Sequence, residues 1–160
     1  MTLRALTEHD LPRLLEILLQ PGVAEWWPCY DMERLRADTF EDPEATSLAV
    51  DLDGHFVGLV MYSEVPDPYY RSAGIDITLD ISCVGQGLGT DTLRTLARYL
   101  FAERGHHRLT IDPALANSRA VAAYRKVGFK DVGVMRAYEK GPDGTFHDNL
   151  LMDMLEGELR

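Results

Sequence analysis

The chain has 160 residues, 46% hydrophobic and 26% charged, which suits one globular domain over residues 1–160 with a proper core. Sixteen Lys and Arg against 26 Asp and Glu give a formal net charge of −10. Such a field argues against nucleic acid and anionic membranes as partners and favours cationic ligands. No run approaches the roughly 20 apolar residues of a membrane span. The polar opening MTLRALTEHD does not read as a secretory signal, so a cytoplasmic protein is expected. Its two cysteines, Cys29 and Cys83, are then expected to be free thiols.

Thr2–Ala5 reads as a short first strand. Thr7-Glu-His-Asp10 resembles a capping box with Asp10 in place of the usual Glu. Leu11, Leu14, Leu15 and Leu18 then share one helix face, and Pro21-Gly22 stops the helix. VAEWWP, Val23 to Pro28, is a short turn or loop, and Asp31 caps a helix over Met32–Thr39. Two β-rich runs around Asp53-Gly54 predict a hairpin. After the loop VPDPYYRSAG, GIDITLDIS alternates Ile75, Ile77, Leu79 and Ile81 against Asp76, Thr78, Asp80 and Ser82, the period of a strand. Asp80 reads as an outward, solvated residue. VGQGLGTDTL opens a helix with a stripe of Leu93, Leu96, Ala97 and Leu100, closed near Gly105. His106-His107 beyond it read as compensation of the helix dipole. RLTID is a strand, Asn117 caps a helix from Ser118 to Val127, and two last strands flank Gly141-Pro-Asp-Gly144. The order predicts a mixed α/β (α+β) domain with a largely antiparallel sheet.

The glycines are the first chemical signal. A strand that ends in a glycine-rich turn opening a helix makes an anion site, because free N–H groups and the positive end of the dipole point outward. No Lys-Ser/Thr follows, so this is not a Walker A loop. Thr90 stands where the dinucleotide fingerprint needs its third glycine. Downstream, Asn117 and Tyr124 lie two turns apart on one helix face. The five histidines show no metal spacing with cysteine, and no metal is expected.

Together QGLGTDTL and NSRAVAAYRKVGF resemble the GNAT acyl-CoA-dependent N-acyltransferases. The resemblance implies a twisted, mostly antiparallel sheet of about six to seven strands flanked by helices, with acetyl-CoA as cofactor. It implies that Cys83, Val84, Gln86, Gly87, Leu88, Gly89 and Thr90 meet the cofactor largely through backbone donors. Cys83 and Val84 would face the thioester carbonyl, and the Thr90 hydroxyl would add a donor to a phosphate. Asn117 and Ala120 would lie along the pantetheine arm, with Tyr124 near the sulfur. Val84 departs from the Arg or Gln usual at its position. VAEWW, PDPYYRSAGID and IDPALANSRAVAAYRKVGF resemble a narrower group, the aminoglycoside 6′-N-acetyltransferases. That likeness implies Asp76 and Tyr124 as catalytic residues and Trp27, Asp67, Tyr70, Asp76 and Asp112 as the acceptor site. Of Trp26 and Trp27, only Trp27 is expected to reach the cleft, because adjacent residues face apart. The acceptor is then a small, polycationic amine, and the protein a monomer or homodimer. Three other readings stand beside it: acetylation of a ribosomal-protein N-terminus, siderophore-type acyl transfer, and a non-catalytic acyl-CoA-binding module.

Overall fold

The computed structural model describes residues Met1–Arg160. Alternating apolar residues in the central strands supply two buried faces, and the helices divide between them. β3 (His55–Val65) sends Leu59 and Met61 to one side and Val60 and Tyr62 to the other. On the first side α1 (Leu11–Leu18) and α2 (Met32–Arg36) bury Leu11, Leu14, Leu18 and Leu35. On the second, α3 (Leu88–Ala102) and α4 (Ser118–Val127) bury the stripe Leu93, Leu96, Ala97 and Leu100 with Val121 and Val127.

The sheet has seven strands in the order β1-β2-β3-β4-β5-β7-β6. The others are β1 (Thr2–Ala5), β2 (Ala45–Leu52), β4 (Ser72–Leu79), β5 (Arg108–Ile111), β6 (Lys130–Lys140) and β7 (Phe146–Leu155). Asp53 and Gly54 both take positive φ, the geometry of a tight hairpin turn between β2 and β3. The predicted capping box forms at Thr7 and Asp10, ahead of a 3-10 turn that leads into α1. Asp31 caps α2 through the Arg34 N–H at 2.8 Å, and the predicted helix to Thr39 continues as a wider π turn over Ala37–Glu41.

One junction positions the site. β4 and β5 are parallel neighbours, paired only from Ser72↔Arg108 to Gly74↔Thr110. Beyond Gly74 no pairing joins the two strands, and a gap opens in the middle of the sheet. Beyond it Leu115 N–H bonds to Asp148 O at 2.8 Å and Leu150 N–H to Pro113 O at 2.9 Å, so the chain after β5 follows β7.

Two expectations change. Asp80 is not solvated: it is 4% exposed. It accepts from Ser82 N–H at 2.8 Å, Ser82 Oγ at 2.7 Å and Gln20 Nε2 at 3.2 Å, and it pairs with Arg13. Burial alone would raise its pKa, but the Ser82 and Gln20 donors and the Arg13 charge bring it below the usual carboxylate value. His106 is buried and faces Glu64 Oε1 at 2.7 Å rather than the helix terminus. In both cases a partner distant in sequence overrides the local reading.

Candidate active site

Asp80 also sets the start of the glycine loop. It caps a 3-10 turn over Ile81–Cys83, from which Gly85 and Gly87 lead to α3 with φ of 81° and 87°. That left-handed geometry is the reason for both glycines. Gly89 has ordinary backbone geometry, and a Cβ there would meet only Leu79 Cδ1, at 3.5 Å. The protein itself does not require a glycine at 89; a group approaching the backbone would. The first helical bond of α3 is Asp91 N–H to Gly87 O at 3.1 Å. The N–H groups of Leu88, Gly89 and Thr90 therefore have no backbone partner.

These groups border a channel of about 450 Å³ between β4 and α4. Cys83, Val84, Gly87, Gly89, Thr90, Asn117, Ala120 and Tyr124 all line it. Gln86 and Leu88 do not: Gln86 folds back onto Ser82 O at 2.6 Å, and the Leu88 side chain is buried. Any contact from these two is through the backbone. Asn117 Oδ1 accepts from Ala120 N–H at 3.1 Å, so Ala120 offers the channel only its methyl group.

Two assigned donors are already in use. Cys83 N–H bonds to Asp80 O at 2.9 Å and Val84 N–H to Ile81 O at 3.2 Å, because the strand ends at Leu79 and coils. The Thr90 hydroxyl donates to Gly87 O at 2.6 Å, which leaves only its N–H for an anion. The free donors lie earlier. Asp80 N–H bonds to Val57 O at 2.8 Å, which fixes the phase of the β3–β4 ladder. Thr78 and Asp76 then direct their N–H groups to β3 as well. Ile77 and Leu79 direct theirs to the side where β5 has left.

The gap between β4 and β5 widens into a second space, a cleft of about 960 Å³ that shares Trp26, Trp27, Ile77, Asn117 and Tyr124 with the channel. Asp76 on β4 and Asp112 after β5 lie in its lining. Asp76 retains solvent access at the cleft but is crowded by protein on its other sides. That crowding, with the Asp112 and Glu139 charges, pushes its pKa up to about 6. Burial also raises Asp112, Glu139 adds to that, and the adjacent Tyr138 hydroxyl opposes it. Burial first, then the Asp76 and Asp112 charges, push the Tyr124 phenol well above its usual value. Tyr124 thus holds its proton at neutral pH.

Both Trp26 and Trp27 line the cleft, a correction to the expectation of one. Trp26 ends a 3-10 turn and Trp27 is extended at φ −125°, so the change of backbone conformation brings adjacent side chains to one space. Asp67 and Tyr70 do not join them. They form the β3–β4 turn, where Tyr69 N–H donates to Asp67 Oδ1 at 2.9 Å and Tyr70 is 72% exposed. The turn lies at the start of β4, roughly 20 Å of extended chain before Asp76. Glu139, Tyr138 and Asn149 line the cleft without having been singled out. The unusual spacing that brings β6 there depends on a bulge with no glycine to mark it.

A loop of free N–H groups at a helix start, a splayed parallel pair and a channel between them lie together at one end of β4. The model of the acetyltransferase (GNAT) domain matches residues 1–130. The aminoglycoside N(6′)-acetyltransferase type 1 of Klebsiella pneumoniae is 32% identical over 90% of this chain and 79% of its own. Mycobacterium smegmatis RimJ, solved with CoA-disulfide, superposes with a TM-score of 0.85 at 26% identity over 98% of this chain and 82% of that one. AAC(6′)-Ib, solved with paromomycin and acetyl-CoA, gives 0.78 at 27% identity over 97% and 93%. The chain belongs to the GNAT acetyltransferase family and uses acetyl-CoA.

Proposed function

We propose that the chain acetylates a primary amine of an aminoglycoside, of the 6′-amino type. The observation that carries this reading is the acidic, aromatic cleft that meets the cofactor channel at Tyr124 and Asn117. A polycationic amino sugar gains there from carboxylates that replace its water and from Trp faces that cover its rings. The Klebsiella relative supports it.

Bound acetyl-CoA supplies an acetyl group activated as a thioester, with sulfur as leaving atom. The Leu88, Gly89 and Thr90 N–H groups would hold its pyrophosphate at the start of α3. Asn117 and Ala120 border its arm. The Ile77 and Leu79 N–H groups offer donors to the acetyl oxygen. Asp76, with a pKa of about 6, is ionised at neutral pH and takes a proton from the acceptor ammonium, directly or through water. Tyr124, protonated, donates to the departing sulfur.

The test is thiol release from acetyl-CoA with kanamycin, tobramycin, peptides and polyamines as acceptors. Saturable turnover of an aminoglycoside is expected, and no turnover with any of them sinks the reading. A second reading, acetylation of a ribosomal-protein N-terminus, is favoured by the likeness to the putative ribosomal N-acetyltransferase YdaF of Bacillus subtilis, 25% identical over 97% of this chain. It expects turnover of peptides and indifference to the drugs.

A further inference from the structure

The far wall of the cleft is built by an irregularity in β6. Its ladder with β7 runs to Met135↔Asn149 and resumes at Glu139↔His147. Arg136, Ala137 and Tyr138 therefore face a single residue, Asp148. Ala137 takes φ 47°, which a non-glycine residue seldom adopts. The Asp148 side chain holds it there, accepting from Ala137 N–H at 2.8 Å. Tyr138 and Glu139, which leave this bulge, both line the cleft.

Asn149 braces the result. It is 2% exposed, and its Nδ2 donates to Asp112 O at 2.8 Å and to Glu139 Oε2 at 3.1 Å. Two acceptors on one side fix the amide orientation. Its Oδ1 has no partner in the protein. The wall thus presents a carboxylate held by a buried amide, next to the second Asp of the cleft. A neutral sugar hydroxyl would bring one donor and no charge, whereas an ammonium brings several donors and the compensating charge.

We infer that Glu139, positioned by Asn149 and the β6 bulge, binds a second ammonium of the acceptor, away from the amine that reacts at Asp76. The inference rests on the cleft being the acceptor site. It makes the enzyme selective for acceptors with at least two cationic amines. Asn149 is a positioning residue, since it acts through Glu139.

The experiment compares wild type with Glu139→Gln, which keeps shape and removes charge. Steady-state rates with acetyl-CoA and calorimetric binding in the presence of CoA are measured for tobramycin, spermidine and the monoamine glucosamine. The expected result is a KM and Kd for the polycation about tenfold higher in the variant, with kcat within twofold. Glucosamine values should change less than twofold. Equal changes for monoamine and polycation, or no change for either, overturn the inference, as does a wild type that prefers glucosamine. Spermidine separates the two claims. If aminoglycosides fail but spermidine binding still depends on Glu139, the proposed acceptor falls and the second-ammonium site stands.

Discussion

The two walls of the proposed active site, one for the acyl donor and one for the acceptor, are made in different ways. The acyl-donor wall is backbone: three unpaired N–H groups at the start of α3 and two on a strand whose neighbour has departed. Its residues come in three short stretches, Ile77 to Leu79, Cys83 to Thr90 and Asn117 to Tyr124. The acceptor wall is side chain: Trp26, Trp27, Asp76, Asp112, Tyr138, Glu139 and Asn149, drawn from segments scattered along the chain. A wall of amides can bind one pyrophosphate throughout a family while its side chains vary. A wall of side chains can change its acceptor without changing the fold.

Asp76→Asn tests that division most strongly. Turnover of the acceptor should fall by roughly 10²–10³-fold while calorimetric CoA affinity stays within twofold. In the wild type kcat/KM for the acceptor should rise with pH through about 6, and the variant should lose that limb. The sign for stability is opposite. A carboxyl raised from 3.8 to about 6 favours the folded state below the lower value, and this contribution is lost as pH rises through the upper one. Asp76→Asn should therefore melt at a higher temperature than wild type at pH 8 and near the same temperature at pH 3.5. Equal loss of CoA binding and turnover would make Asp76 a structural residue.

Tyr124 stands where the walls meet, and its phenol remains protonated there. Tyr124→Phe removes only the hydroxyl. A fall in kcat of about 10²-fold is expected, with KM for acetyl-CoA little changed. An unchanged kcat would remove Tyr124 from proton transfer and leave it as packing against Phe129, 6.3 Å away between ring centres.

Gly89 tests the backbone wall alone. The space beside it would accept a methyl group from the protein's point of view. Gly89→Ala should fold with equal or slightly greater stability, up to about 1 kcal/mol from helix propensity. CoA should bind about tenfold more weakly, a loss of about 1.4 kcal/mol. Unchanged CoA affinity would mean that nothing approaches the backbone there. Lower stability would mean that the glycine serves the fold.

The same division explains what could be read in the sequence. The strand and helix order, the Asp53-Gly54 hairpin and the Asn117 cap follow from local periodicity and turn chemistry. So does most of the acyl-donor wall, because adjacent residues form it. The errors fall where a distant partner decides. Asp80 alternates like a surface residue, but Arg13 and Gln20, 67 and 60 positions earlier, partner it in the interior. The sequence points to Cys83 and Val84 for the free amides, because nothing local shows that β4 ends at Leu79 and that β5 departs after Gly74. Asp67 and Tyr70 match a pattern of acid and aromatics, yet their turn lies at the opposite end of the strand from the glycine loop. Trp26 reaches the cleft through a break in helical geometry.

The β6 bulge is the sharpest case, since its sequence MRAYEK contains no glycine although one residue needs positive φ. Ala137 pays about 1–3 kcal/mol for that conformation, offset in part by its hydrogen bond to Asp148. Ala137→Val adds a β-branched side chain to the least tolerant backbone and should destabilise the fold by a further 1–2 kcal/mol, roughly. Ala137→Gly relieves the strain but loosens the unfolded chain, so its melting temperature should change little. No residue of the bulge lines the channel beside the glycine loop, so neither variant should alter CoA affinity. Ala137→Val should raise KM for a polycationic acceptor, because Tyr138 and Glu139 follow directly. If instead Ala137→Val melts like wild type and binds acceptor equally, the bulge carries no strain and the acceptor wall does not depend on it.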